Sequence, residues 1–151
     1  MPRIVLLARP HPIIISEMRP FLELAGFAPK RLDSLTMFKS SNESISGAII
    51  SLAVLSSIED TAEAVFSGIR KYAPRLPILF AAMLDFSAMK GALRRIAKLN
   101  NIEATILGVD PSNDNHPDLG KPNTLVYLSM GDLTTPIRSV LASKIVQRHF
   151  R

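Results

Sequence analysis

Side chains able to do chemistry are sparse and scattered along the chain. His11, His116 and His149 are far apart and there is no cysteine, which removes disulfides, thiolate nucleophiles and zinc–cysteine sites. Asp110, Asp114, His116 and Asp118 share one segment. The central Gly and terminal Glu of a calcium loop are missing there, and turn formation accounts for these acids better than a metal does. Gly120-Lys121 lacks the earlier Gly and the following Ser or Thr of a phosphate loop, and no Gly-x-Ser-x-Gly elbow is present. The expectation is a non-enzyme with no resident metal and no cofactor.

Charge is the more informative chemistry. The formal net charge is +5, and residues 86–151 hold nine basic against five acidic side chains, whereas residues 1–85 hold nine and eight. Lys90, Arg94 and Lys98 fall at i, i+4 and i+8, one stripe of a helix, while Arg138, Lys144, Arg148 and Arg151 fall on the polar side of another. Either these are ordinary solvated helix faces or they are a docking surface for a protein. Attraction to nucleic acid through its phosphates ranks below protein binding, because no recognition motif is visible and two Tyr with no Trp leave little for base stacking.

The elements that must position these residues follow from periodicity. A chain of 151 residues, 47% hydrophobic, fits a single domain spanning 1–151. Its longest apolar stretch, Gly47 to Leu55, is far below the ~20 residues a membrane span needs, and its start does not read as a signal peptide. The expected location is the cytoplasm, away from membranes. Arg3 to Ala8 reads as a buried strand. Ile14, Met18, Phe21, Leu22 and Ala25 then recur at helical spacing, with Pro12 in the first turn, a kink near Pro20 and Gly26 as the stop. Lys30 to Leu35 is a weak second strand, and Thr36 to Ser46 has no clear period.

Gly47 to Val54 is the third strand. Ser56 and Glu59 form a capping-box signature before a helix whose inward residues are Ile58, Ala62, Val65, Phe66 and Ile69. Pro77 to Ala82 is the fourth strand, and Phe86 to Leu99 is a helix with Met89, Leu93 and Ile96 inward. Ile102 to Leu107 allows one more short strand, residues 108–123 read as a long surface loop, and Thr124 to Ser129 is the last strand. Leu133, Ile137, Val140, Leu141 and Ile145 predict the buried stripe of one terminal helix. Strands alternating with helices predict the α/β class, a flavodoxin-like, doubly wound parallel sheet of five strands with helices on both faces. Ligands of such sheets bind beyond the carboxyl ends of the strands, which brings Arg9, Leu52, Asp85 and Ser129 to one rim.

Over nearly its whole length the chain resembles a response-regulator receiver domain of the CheY-like kind. Ile4-Val5-Leu6-Leu7-Ala8-Arg9-Pro10-His11-Pro12 is similar to the family's first strand and the His-Pro that often follows its acidic pair. Ala48-Ile49-Ile50-Ser51-Leu52 is similar to the third strand, Leu76-Pro77-Ile78-Leu79-Phe80-Ala81-Ala82 to the fourth, and Tyr127-Leu128-Ser129-Met130-Gly131-Asp132-Leu133 to the fifth and its exit. The resemblance places the acidic pair at Arg9 and Pro10, the phosphorylated aspartate at Leu52, the hydroxyl near Ala82 and the lysine at Ser129. Each is replaced. Self-phosphorylation needs carboxylates to hold Mg²⁺, a carboxylate nucleophile, and cationic and hydroxyl groups around the phosphoryl, and Arg9 would oppose the metal.

What the resemblance implies is a degenerate pseudo-receiver, a phosphorylation-independent protein-interaction module in signal transduction or gene regulation. Its dimerisation or output contacts would lie on the last two helices, where Lys90, Arg94, Lys98, Arg138, Lys144 and Arg148 are found, with a homodimer formed there. The segment at about 100–123 exceeds the family's usual connection and reads as an insertion. A small-ligand or anion sensor using the strand-end pocket around Arg9 and Ser129 is the alternative, with nucleic-acid binding third.

Overall fold

The computed structural model describes residues 3–8, 12–32, 45–52 and 62–150. Arg9, Pro10, His11 and the Ser56–Glu59 capping signature lie outside the described residues. The elements are β1 (Arg3–Ala8), α1 (Pro12–Leu24), β2 (Phe27–Leu32), β3 (Ile45–Ser51), α2 (Ala62–Tyr72), β4 (Ile78–Ala82), α3 (Phe86–Leu99), β5 (Thr105–Leu107), a 3₁₀ turn (Pro111–Asn113), β6 (Thr124–Ser129), α4 (Met130–Thr134) and α5 (Pro136–His149). Among the described residues the strands form one six-stranded sheet in the order β2-β1-β3-β4-β6-β5, and every pairing is parallel.

Strict alternation along the strands divides the core between two faces. Val5, Leu7, Ile49, Leu79, Val126 and Leu128 point to one face, where they meet Met18 and Leu22 of α1, Leu133 of α4, and Ala142, Ile145 and Val146 of α5. Leu6, Ile50, Phe80, Leu125 and Tyr127 point to the other, against Val65, Phe66 and Ile69 of α2 and Leu93 and Ile96 of α3. This is the flavodoxin-like architecture expected from the order of elements.

Three local expectations are corrected. The second strand, described as Phe27–Leu32, begins at Phe27 rather than at Lys30, while its expected end at residues 33–35 lies outside the described residues: Gly26, at φ +93°, turns the end of α1 directly into the strand. Pro29 is tolerated within it because β2 is an edge strand. The sheet has six strands rather than five, since Thr105–Leu107 pairs along the outer side of β6. The terminal helix is two helices. Thr135 is extended and Pro136 opens α5, as the residue before a proline disfavours helix and proline suits a first turn. That break leaves Ile137 85% and Val140 59% exposed, while Ala142, Ile145, Val146 and His149 are buried.

The segment 108–123, expected as a surface loop, is pinned to the sheet. Val109 and Leu119 are buried on the face of α1 and α5. The Arg70 guanidinium donates to the Pro122 carbonyl (2.9 Å) and the Asn123 side chain (3.0 Å), and Asn113 donates to the Gly108 carbonyl (3.0 Å). A Cβ at Gly108 would come within 2.8 Å of the Phe86 ring, so the glycine lets α3 and this segment approach.

Candidate functional site

Parallel register brings Leu52, Ala82 and Ser129, which the resemblance places at an acceptor site, together at the carboxyl ends of neighbouring strands. Ala82 is paired with Ser129, and the Leu52 amide donates to the Ala81 carbonyl at 2.9 Å. Leu52 is half-buried and packs against the α2–α3 side of the core, where Ala82 is also buried. Neither side chain offers an oxygen to a metal or a phosphoryl group.

Ser129 is buried, and its hydroxyl caps α4. Its oxygen accepts from the Asp132 amide (3.2 Å), while the Asp132 carboxylate accepts from the Ser129 amide (2.8 Å), a reciprocal capping box. The other Asp132 oxygen accepts from Arg138 Nε at 2.7 Å and lies 2.6 Å from its Nη2. Asp132 is 2% exposed, so this carboxylate is desolvated, paired and hydrogen-bonded at once, the condition under which a buried charge is tolerated. The Ser129-x-x-Asp132 spacing ahead of a helix was the sequence signal that would have found it.

The rim beside these positions is also held. The Tyr127 hydroxyl donates to the Leu84 carbonyl, its ring lies 6.0 Å from that of Phe86, and burial pushes its pKa above the usual phenol value. Asp85, which precedes α3, is exposed and makes no side-chain cap. In sequence Tyr127 is only one residue of a strand, because nothing in its context marks a hydroxyl aimed at a neighbouring turn.

The basic residues are not brought together as one face. α3 packs on one side of the sheet and α5 on the other, and β5 extends the edge beyond β6. On α3, Lys90 lies over the Phe86 ring (5.8 Å), and Arg94, Arg95 and Lys98 are exposed on a helix with no acidic residue. On α5 the bases diverge. Arg138 is held by Asp132, Lys144 lines a cleft against α1, and Arg148 donates to Asn115 (2.9 Å) and lies 3.7 Å from Asp114.

Two acids of the 108–123 segment are held by near neighbours in the chain. Asp110 accepts from the amide and hydroxyl of Ser112, which lowers its pKa. Asp118 accepts from Lys121 and Thr105, which lowers its own. Among the described residues no group of three or more metal-ligating side chains gathers.

Two described hollows lie away from the carboxyl ends of the strands. One, of about 410 Å³, runs between α1 and the α4–α5 pair, and the other, of about 510 Å³, lies beside Ile45, Ala73 and Leu76. No described helix is long and apolar enough to cross a membrane.

No protein-family model and no curated protein sequence matches the chain. Among solved structures, a response regulator receiver protein from Sinorhizobium medicae WSM419 is similar at a TM-score of 0.55 and 14% identity over 97% of each chain. A response regulator receiver domain protein from Clostridium thermocellum is similar at a TM-score of 0.53 and 13% identity, over 97% of this chain and 96% of that one. With the parallel sheet, its strand order and its two helical layers, the chain has the CheY-like fold of response-regulator receivers.

Proposed function

We propose that this chain is a non-catalytic pseudo-receiver that acts in signal transduction or gene regulation through phosphorylation-independent contact with a protein partner. The observation that carries this reading is the row Leu52, Ala82 and Ser129 at adjacent strand ends. A phosphoryl acceptor there would need a carboxylate with a free oxygen and a second set of oxygens for Mg²⁺. Leu52 packs on the core instead, and the nearby Asp132 has both oxygens engaged by Ser129 and Arg138.

The surface that best fits a partner is α3. Lys90, Arg94, Arg95 and Lys98 are not offset by any acid on that helix, and Met83 and Leu84 beside its start are 49% and 59% exposed. Positive charge next to exposed apolar side chains favours an acidic partner, with charge steering the encounter and apolar contact holding it. α5 contributes less, because Arg138 and Arg148 already serve contacts within the fold.

A nuclease-treated pull-down from native extract tests this, comparing the wild type with Lys90→Glu, Arg94→Glu and Lys98→Glu combined. A partner retained by the wild type and lost by the variant is expected. Failure of both to retain a specific protein contradicts the reading, and retention that disappears on nuclease treatment points to nucleic acid instead.

A further inference from the structure

We propose that the cleft between α1 and α5 is a contact between two copies of this chain, in which α1 of each copy lies over α5 of the other. The cleft, about 410 Å³, is walled by Pro20, Phe21 and Leu24 of α1, Leu133 of α4, and Val140 and Lys144 of α5, with Glu17 at its α1 side. Leu24 is 91% exposed, Val140 59% and Ile137 85%. Ile137 stands three residues before Val140 and so shares its side of α5. Large aliphatic side chains gathered around one hollow are unlike the singly scattered exposed apolar residues of an ordinary surface, and such a patch marks a binding face.

Its charges indicate the occupant. Glu17 on one wall and Lys144 on the other are paired neither with each other nor with any other described residue. A two-fold axis along the cleft sets the acidic wall of each copy against the basic wall of the other and forms every contact twice. The same operation offers the projecting Leu24 and Ile137 of one copy to the hollow of the other. The α3 stripe is unsuited to this role, because two copies meeting there would oppose like charges. The contact is thus separate from partner docking on α3, and its failure would leave that reading standing.

Sedimentation of the full chain across a concentration series tests the proposal, with circular dichroism melts to verify folding. The wild type is expected to dimerise, and Leu24→Ser or Ile137→Asp, at exposed positions, to weaken the dimer at least about tenfold with the melt unchanged. Glu17→Lys and Lys144→Glu each weaken it alone, whereas an equimolar mixture of the two variants associates, since their walls complement each other. Arg94→Glu leaves the dimer intact. A wild type that stays monomeric at about 100 μM, or a dimer indifferent to Ile137→Asp and Leu24→Ser, overturns the proposal.

Discussion

At the carboxyl ends of β3, β4 and β6 the sheet is closed mainly by one local cluster, Ser129, Asp132 and Arg138, joined across three and six residues of sequence, with Tyr127 reaching Leu84 and Arg138 reaching Val109 from further away. At the amino ends it is closed by contacts that span the chain. Phe150 is fully buried against Gly47, which leaves no room for a side chain there, and meets Phe27 edge-on at 6.1 Å. Arg3 donates to the Phe150 carbonyl at 3.2 Å. His149, also fully buried, accepts from the Gly120 amide at Nδ1 (3.0 Å) and donates from Nε2 to the Ile78 carbonyl (3.0 Å). The difference separates two roles. Damage at the carboxyl end should stay local, whereas the amino end ties α5, the 108–123 segment and four strands into one cooperative unit.

The largest expected loss is therefore at the amino end. Phe150→Ala removes a fully buried ring and is expected to cost about 3–5 kcal/mol, read as a fall in the urea midpoint. Gly47→Val should also destabilise by forcing a side chain into the space of that ring. If Phe150→Ala were neutral, the amino end would not be the anchor described.

Acid should act at the same place. Burial lowers the His149 pKa from 6.5 to about 4, and both ring nitrogens already have the partners of the neutral form. Because the folded pKa lies below the unfolded one, the unfolded chain binds more protons between these values. The contribution is present in full above about pH 6.5 and is lost as pH falls toward 4, amounting to about 3 kcal/mol. Unfolding free energy measured against pH should slope in this window, and His149→Gln should flatten the slope.

At the carboxyl end the effects shrink. Asp132→Ala removes the cap and strands Arg138, for about 1–3 kcal/mol, and hydrogen exchange should show the opening confined to α4 and its junction with α5. Arg94→Glu on exposed α3 should stay within about 0.5 kcal/mol in a thermal melt, so any loss of partner there cannot be blamed on unfolding.

Much of this architecture could be read from the residues, and the exceptions have physical causes. β1, α3 and β6 fall where the sequence puts them, because two-sided burial gives unbroken apolar runs and the one-sided helix gives clean periodicity. The α4–α5 break was hidden because an apolar stripe can be drawn straight through Thr135-Pro136, although proline fixes the break. The place of Leu52, Ala82 and Ser129 at strand ends was legible, and the Ser129-x-x-Asp132 spacing signals the cap, but not the ion pair that Arg138 adds to Asp132, which only the turn from α4 into α5 brings about. His149 was invisible as a core residue. A histidine in a last helical turn reads as a dipole-matching surface group, and only the tertiary approach of Gly120 and Ile78 makes it a buried crosslink.

The most direct test of the central claim is incubation of the purified chain with acetyl phosphate and Mg²⁺, followed by intact-mass measurement under conditions that preserve acyl phosphates. An unmodified mass is expected. A mass increase of one phosphoryl group, mapped to an aspartate such as Asp85 or Asp132, would contradict it and return the strand ends to the chemistry of an active receiver.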